Sequence, residues 1–317
     1  MGDLPNRRLE EVLEDTYGLL VRQMTWHDSL YLKRVAAKVE TGFGVLKLKR
    51  YTGSEQALRQ YYRRYLALAR TGFTGLPRWY RTVAGKPYVA VQDEWFYLID
   101  WIEGRPFRLS STDARRLGEA LAEMHHVRPD TADFDKPRWR EKLRQVTQAR
   151  RLLRGGIAER LPKDARRFIE QQESLLDETF HHVADSLADH HRLLKSGVVH
   201  GDVTLPNILF VDHRARFIDW ERLNIGFPLE ELAKAAMNTC HFSIPHVEHL
   251  LTGYDYDLLD YNQKEIFSTF FEIPREVVYL LLRAARGHRT KHDASMWTFV
   301  RDTWDVRIAL IRHFAVR

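Results

Sequence analysis

The stretch Val198-Val199-His200-Gly201-Asp202-Val203-Thr204-Leu205-Pro206-Asn207-Ile208-Leu209-Phe210, followed shortly by Arg216-Phe217-Ile218-Asp219-Trp220-Glu221, decides how the chain is read. Asp202, Asn207 and Asp219 each lie beside a short apolar run with strand character, which anchors a polar loop rigidly. Phosphoryl transfer needs a carboxylate to orient and deprotonate the attacking hydroxyl. It also needs hard oxygen ligands for the magnesium that bridges the nucleotide phosphates. Asp202 suits the first task. Asn207, five residues later, and Asp219, seventeen residues after Asp202, suit the second if the two strand-like segments pair and bring their ends together. His200 is expected to hold the loop by hydrogen bonding without titrating during turnover. Singly, Asp and Asn in loops usually cap or turn the chain; the ordered set is what points to chemistry.

Upstream of this island the pattern favours strands. Leu19-Leu20-Val21 leads to a polar break at Trp26-His27-Asp28-Ser29, a strand-like run follows from Leu30 to Val39, and Thr41-Gly42 turns into Phe43-Gly44-Val45-Leu46-Lys47-Leu48. Leu58, Tyr61, Tyr62, Tyr65, Leu66 and Leu68 then recur at helical spacing, with Ser54 as N-cap and Gly72 as the stop. Further strand-like runs cover Tyr88 to Gln92 and Trp95 to Trp101. Beyond Glu103-Gly104-Arg105-Pro106 the character becomes helical: Thr112 to Val127, Arg138 to Arg154, a Gly155-Gly156 break, Asp164 to Leu194, and Leu229 to the end. The expected fold class is therefore α+β, with a small antiparallel-sheet lobe carrying one helix (residues 1–101) and a larger, mainly helical lobe (residues 102–317).

Composition agrees but decides little. The 317 residues include 49 Lys+Arg, 43 Asp+Glu and one cysteine, with 44% apolar and 12% aromatic residues. That aromatic content supplies the apolar area that disordered polyampholytes lack. No run of 18 or more uncharged apolar residues occurs and the N-terminus is charged, so a cytoplasmic protein without membrane contact is expected. Cys240 cannot form an internal disulfide and reads as a buried small hydrophobe.

His-Gly-Asp, Asn five residues after the Asp, and Ile-Asp-Trp a dozen residues on together resemble the aminoglycoside phosphotransferase and choline kinase superfamily, a branch of the protein-kinase-like fold. The resemblance implies a bilobal kinase-like fold and ATP- and Mg2+-dependent transfer of the γ-phosphate to a small-molecule hydroxyl acceptor. Asp202 would be the catalytic base, and Asn207 and Asp219 the metal ligands. Glu231 stands where the family usually has a structural Asp before Leu-Ala. Val45-Leu46-Lys47 resembles the strand whose lysine contacts the α- and β-phosphates, and Glu55, the one acidic residue on the following helix, would be its partner. Leu98-Ile99-Asp100-Trp101 resembles the hinge whose backbone binds adenine. Val45-Leu46-Lys47, Thr71-Gly72-Phe73 and Tyr97 to Gly104 are also similar to the spore-coat-associated kinase-like proteins of endospore-forming bacteria. That likeness implies coat proteins as partners and a spore-coat location.

One departure keeps a second function open. A phosphate-covering loop normally offers glycines for close backbone approach, and Trp26-His27-Asp28-Ser29 has none. An inactive kinase-like scaffold is the alternative. Residues 136–167 hold twelve Lys/Arg against three Asp/Glu, either a solvated helix face or an anionic-ligand surface; no base-reading module accompanies it, so no nucleic acid partner is expected. Beside an acceptor cleft this charge favours neutral or anionic hydroxyl compounds over polycations. Asp255, Asp257 and Asp260 could meet an amine or start a helix. The pairs His125-His126, His181-His182 and His190-His191 lack ligand spacing for zinc, because adjacent residues face different sides of a helix, and His125 is expected to be structural.

Overall fold

Leu9, Leu13 and Tyr17 recur every four residues and form the buried stripe of α1 (Asn6–Tyr17), a helix the sequence reading did not anticipate. The structure is a computed structural model and describes residues 6–28, 33–288 and 290–314. After α1 an antiparallel meander follows as expected, with β1 (Val21–His27), β2 (Ala36–Thr41) and β3 (Gly44–Tyr51) paired in order. The second strand runs from Ala36, and Ser29 and Leu30 to Leu32, where the expected run starts, lie outside the described residues.

Helix α2 (Glu55–Ala69) starts where Ser54 accepts a hydrogen bond from the Ala57 N–H (3.3 Å), and Gly72, just beyond its end, takes a left-handed φ of 79°. The strands β4 (Trp79–Tyr80), β5 (Val89–Val91) and β6 (Glu94–Asp100) complete the sheet, which runs β1-β2-β3-β6-β4 with β5 also on β6. Alternation sorts its residues between two faces. Leu46, Leu48, Phe96 and Leu98 meet α1, while Tyr97 and Ile99 join Trp79 and the tyrosines of α2. Trp79 stacks on Tyr97 at 4.5 Å between ring centroids.

A connector carrying β7 (Arg105–Pro106) leads to α3 (Ser111–His126), and Arg105 forks onto Asp113 at 2.6 and 2.7 Å. The helical part continues with α4 (Trp139–Arg154) and α5 (Lys163–Asp189). The island supplies β8 (Gly197–Val199), β9 (Ile208–Val211), β10 (Arg214–Phe217) and β11 (Asn224–Gly226). The chain closes with α6 (Pro228–Thr239), α7 (Ile244–Gly253), α8 (Tyr261–Glu272), α9 (Arg275–Ala285) and α10 (Lys291–Phe314). Asp260 caps α8 in a capping box with Gln263, the helix-start role for that acidic residue.

Helices α3 and α7 approach at glycines. A Cβ on Gly118 would lie 2.0 Å from the Leu250 carbonyl oxygen, and one on Gly253 would lie 1.9 Å from that of Arg115. Leu117, Leu121 and Met124 of α3 are fully buried, each contributing about 1.5–3 kcal/mol by leaving water. This packing fixes His125, at the end of α3, against the island. Cys240 is buried and unpaired, its thiol pushed up to about 12 by burial. Among the described residues no helix is long and apolar enough to cross a membrane.

Candidate active site

The strands β9 and β10 form an antiparallel hairpin turned by Asp212 and His213, both at positive φ. Its open end is closed by the Ile218 N–H donating to the Asn207 carbonyl at 3.0 Å. Asn207 and Asp219 therefore stand side by side, as the pairing expectation required. The Asn207 Nδ2 donates to the Asp202 carbonyl (3.0 Å) and the Thr204 hydroxyl (3.3 Å), which leaves Oδ1 to act as a ligand. Asp219 sits in a left-handed turn (φ 67°) with Oδ1 accepting from the Lys49 Nζ at 2.7 Å. Burial raises its carboxyl, but Lys49 and then Lys47 overcome this and hold it below the usual range. An ionised carboxylate beside an amide oxygen is a donor set that suits magnesium, a hard cation.

Asp202 is held by the backbone around it. His200 is fully buried: its Nε2 donates to the Ile218 carbonyl (3.0 Å) and its Nδ1 accepts the Asp202 N–H (3.2 Å). Burial lowers its pKa, so a neutral imidazole ties the Asp202 loop to the Asp219 strand. Trp220 packs edge-on against the His200 ring at 4.7 Å. Glu231 of α6 accepts the N–H groups of His200 (2.9 Å) and Gly201 (2.6 Å) and meets His125 Nε2 at 3.1 Å. The other His125 nitrogen meets the Tyr254 hydroxyl at 2.8 Å. Gly201 has φ 84°, and a Cβ there would lie 2.6 Å from the Arg222 carbonyl oxygen; no other residue fits without moving that loop.

Lys47 and Lys49 are two apart on β3, so both point into the cleft. Lys47 lines a small cavity with Ile99, Asp100, Trp101, Ile102, Ile218 and Asp219. Lys49 is buried between Asp219 and Glu221, the latter at 3.6 Å. Burial raises the Glu221 carboxyl, and Tyr97 donates to it at 2.9 Å. Glu55 does not meet either lysine. It occupies the first position of α2, where Arg59 (2.8 Å) and the Tyr88 hydroxyl (3.0 Å) engage it. The acidic partner thus comes from Glu221 and not from α2. Lys49 and Glu221 were missed, although the alternation Lys47-Leu48-Lys49 already placed both lysines on one face.

Asp100 accepts from the Arg78 N–H and the Tyr80 hydroxyl, both at 2.7 Å, which locks the end of β6 to β4. Ile99, Asp100 and Trp101 line the cavity; the Leu98 side chain is buried on the opposite face against α1. Part of the basic run is paired: Arg150 and Arg154 share Asp177, Arg144 meets Glu141, and Lys142 reaches Glu230 on α6.

The Lys47 ammonium is pushed down to about 8, by burial first and then by Lys49, against the pull of Asp219 and Glu221. The unfolded chain keeps this proton to about 10.5, so between these values the unfolded state binds more protons and stability rises with pH. Lys47→Met is therefore expected to raise stability at pH 7 by on the order of 1 kcal/mol. The gain should shrink as pH rises from about 8 and vanish only above about 10.5, in thermal melts across that range.

A two-lobed α+β architecture with these groups at the lobe junction defines a kinase-like protein. The "Phosphotransferase enzyme family" sequence model matches residues 31–262, and the chain belongs to that family. Among solved structures it is similar to the aminoglycoside phosphotransferase from Alicyclobacillus acidocaldarius, with a TM-score of 0.75 at 16% identity over 99% of this chain and 96% of that one. Spectinomycin phosphotransferase in complex with ADP and spectinomycin gives 0.68 at 14% identity over 98% and 99%. The choline kinase LicA from Streptococcus pneumoniae gives 0.57 at 12% identity over 97% and 98%. No curated protein matches the sequence.

Proposed function

We propose that the protein transfers the γ-phosphate of ATP to the hydroxyl of a small acceptor, with the nucleotide between the sheet lobe (residues 1–101) and the helical lobe (102–317). The observation that carries this reading is the hairpin base, where Asn207 and Asp219 stand together beside Lys49 and next to the Asp202 loop. Asn207 and Asp219 would hold magnesium, which would neutralise charge on the phosphates. Lys49, with Lys47 beside it, faces the α- and β-phosphates. The backbone of Ile99 to Ile102 receives adenine, and Asp202 orients the acceptor hydroxyl and takes its proton.

A thermal-shift titration with ATP and magnesium tests the nucleotide half. Saturation at about 100 times Kd should stabilise the fold by about 2.7 kcal/mol, and Asp219→Ala should remove the magnesium dependence of that shift. The glycine-free Trp26 to Ser29 segment favours one other reading, a scaffold such as a spore-coat component. Absence of any shift at millimolar ATP would select it.

A further inference from the structure

The loop bearing Asp202 forms one wall of a cavity of about 260 Å3, whose other walls include Thr204, Arg222, Glu230, Lys234 and Arg275. Its volume lies just below the ~300–1,000 Å3 usual for ligand pockets, so a small molecule fits. The lining holds three acids, Asp202, Glu230 and Glu231, and three bases, Arg222, Lys234 and Arg275, but two of the acids are already engaged. Glu230 is shared by Lys142 (2.5 Å) and Lys234, so one carboxylate already serves two ammonium groups. Glu231 is taken by backbone N–H groups and His125. Glu276, next to Arg275, is taken by Arg307 at 2.6 Å.

Arg275 is therefore left over. Among the described residues its guanidinium makes no ion pair, and its one hydrogen bond is a long one of 3.4 Å to the Asn238 side chain. It is half-buried and opens α9, where the positive end of the helix dipole disfavours a cation. Burial and the neighbouring Arg307 lower its pKa further against the pull of nearby carboxylates. A planar, poorly paired guanidinium in a cavity is built to receive a carboxylate or phosphate through two parallel hydrogen bonds.

We propose that the acceptor is a small hydroxyl compound bearing an anionic group, carboxylate or phosphate, which Arg275 and Lys234 hold while its hydroxyl meets Asp202. This rests on the phosphotransferase reading and names its substrate class. With Glu230 and Glu231 already engaged, an amine-bearing acceptor would set its cation beside Arg275, which makes no ion pair among the described residues.

The test is isothermal titration without nucleotide, using matched sets on two carbon skeletons: glycerate, glycerol 3-phosphate, glycerol and 3-amino-1,2-propanediol; and gluconate, glucose 6-phosphate, glucose and glucosamine. At least one anion is expected to bind tenfold or more tightly than its neutral and amine counterparts, with the carboxylate and phosphate arms separating the two anion types. Arg275→Gln should weaken that anion at least tenfold while the shift given by ATP and magnesium stays unchanged. Lys234→Gln is the second variant should Arg275→Gln fold poorly by circular dichroism. Preferential binding of the amines, no anion binding to the wild-type protein, or undiminished anion affinity in the folded variants overturns the proposal. Because nucleotide is absent, a failed ATP shift would strike the phosphotransferase reading and leave this site standing, whereas a failed anion titration beside an intact ATP shift strikes this inference alone.

Discussion

Asp202→Asn is expected to lower turnover roughly 10²- to 10⁴-fold, the range that a positioned general base supplies. The amide keeps the shape of the carboxylate but cannot take the hydroxyl proton. The loop around it should survive, because what holds the loop is the Asp202 N–H to His200 and the Asp202 carbonyl to Asn207, neither of which the substitution touches. Nucleotide affinity should consequently stay within about twofold. Steady-state kinetics paired with an ATP titration by thermal shift checks both halves, and full activity in the variant would remove Asp202 from the mechanism.

Glu231→Gln should have the largest effect on stability. One buried carboxylate receives two backbone N–H groups and a histidine nitrogen. An amide offers one acceptor oxygen and turns two N–H donors toward groups that themselves donate. Breaking a buried charge-assisted cluster from one side costs about 3–5 kcal/mol, read as a lower midpoint in urea. Activity should fall as well, since the same bonds aim Asp202. Burial raises the Glu231 carboxyl, yet the bonds from His125 and Gly201 leave it below the usual 4.5. Its stabilising contribution is therefore fully present above about pH 4.5 and is lost as pH falls through the lower folded value. The gap between wild type and variant should be constant near neutrality and should narrow in acid.

What the sequence made legible was local and dense. His200, Asp202, Asn207 and Asp219 lie within twenty residues, and the apolar runs between them announce the hairpin that gathers them. The lobes were legible because residue spacing changes from period two to period 3.6 near Glu103. Helix α1 was not, since Leu9, Leu13 and Tyr17 form a narrow stripe in a charged segment, and only the open face of the sheet explains it. Contacts across the lobes were harder. Lys47 and Lys49 carry the same local signal, and only the placement of Asp219 tells which lysine it binds. Glu55, the one acidic residue on α2, suggests a lysine partner in the sequence; helix geometry instead puts it at the outer end beside Arg59. Glu231 was noticed as an exchange for aspartate, but its three hydrogen-bond donors come from two distant segments. The cavity beyond Asp202 draws on α6 and α9, so no single window of sequence contains it.

The hairpin of β9 and β10 also bears on how kindred sequences can diverge. The two metal-ligand candidates stand at its open base, and the turn at Asp212 and His213 lies at the far end. Residues added at that tip lengthen the ribbon without separating Asn207 from Asp219. The interval between them along the chain is therefore free to drift while their separation in space is not. A search pattern with a fixed gap between the asparagine and the second aspartate would discard true relatives, whereas one that fixes the five-residue step from Asp202 to Asn207 and lets the later gap float would retain them.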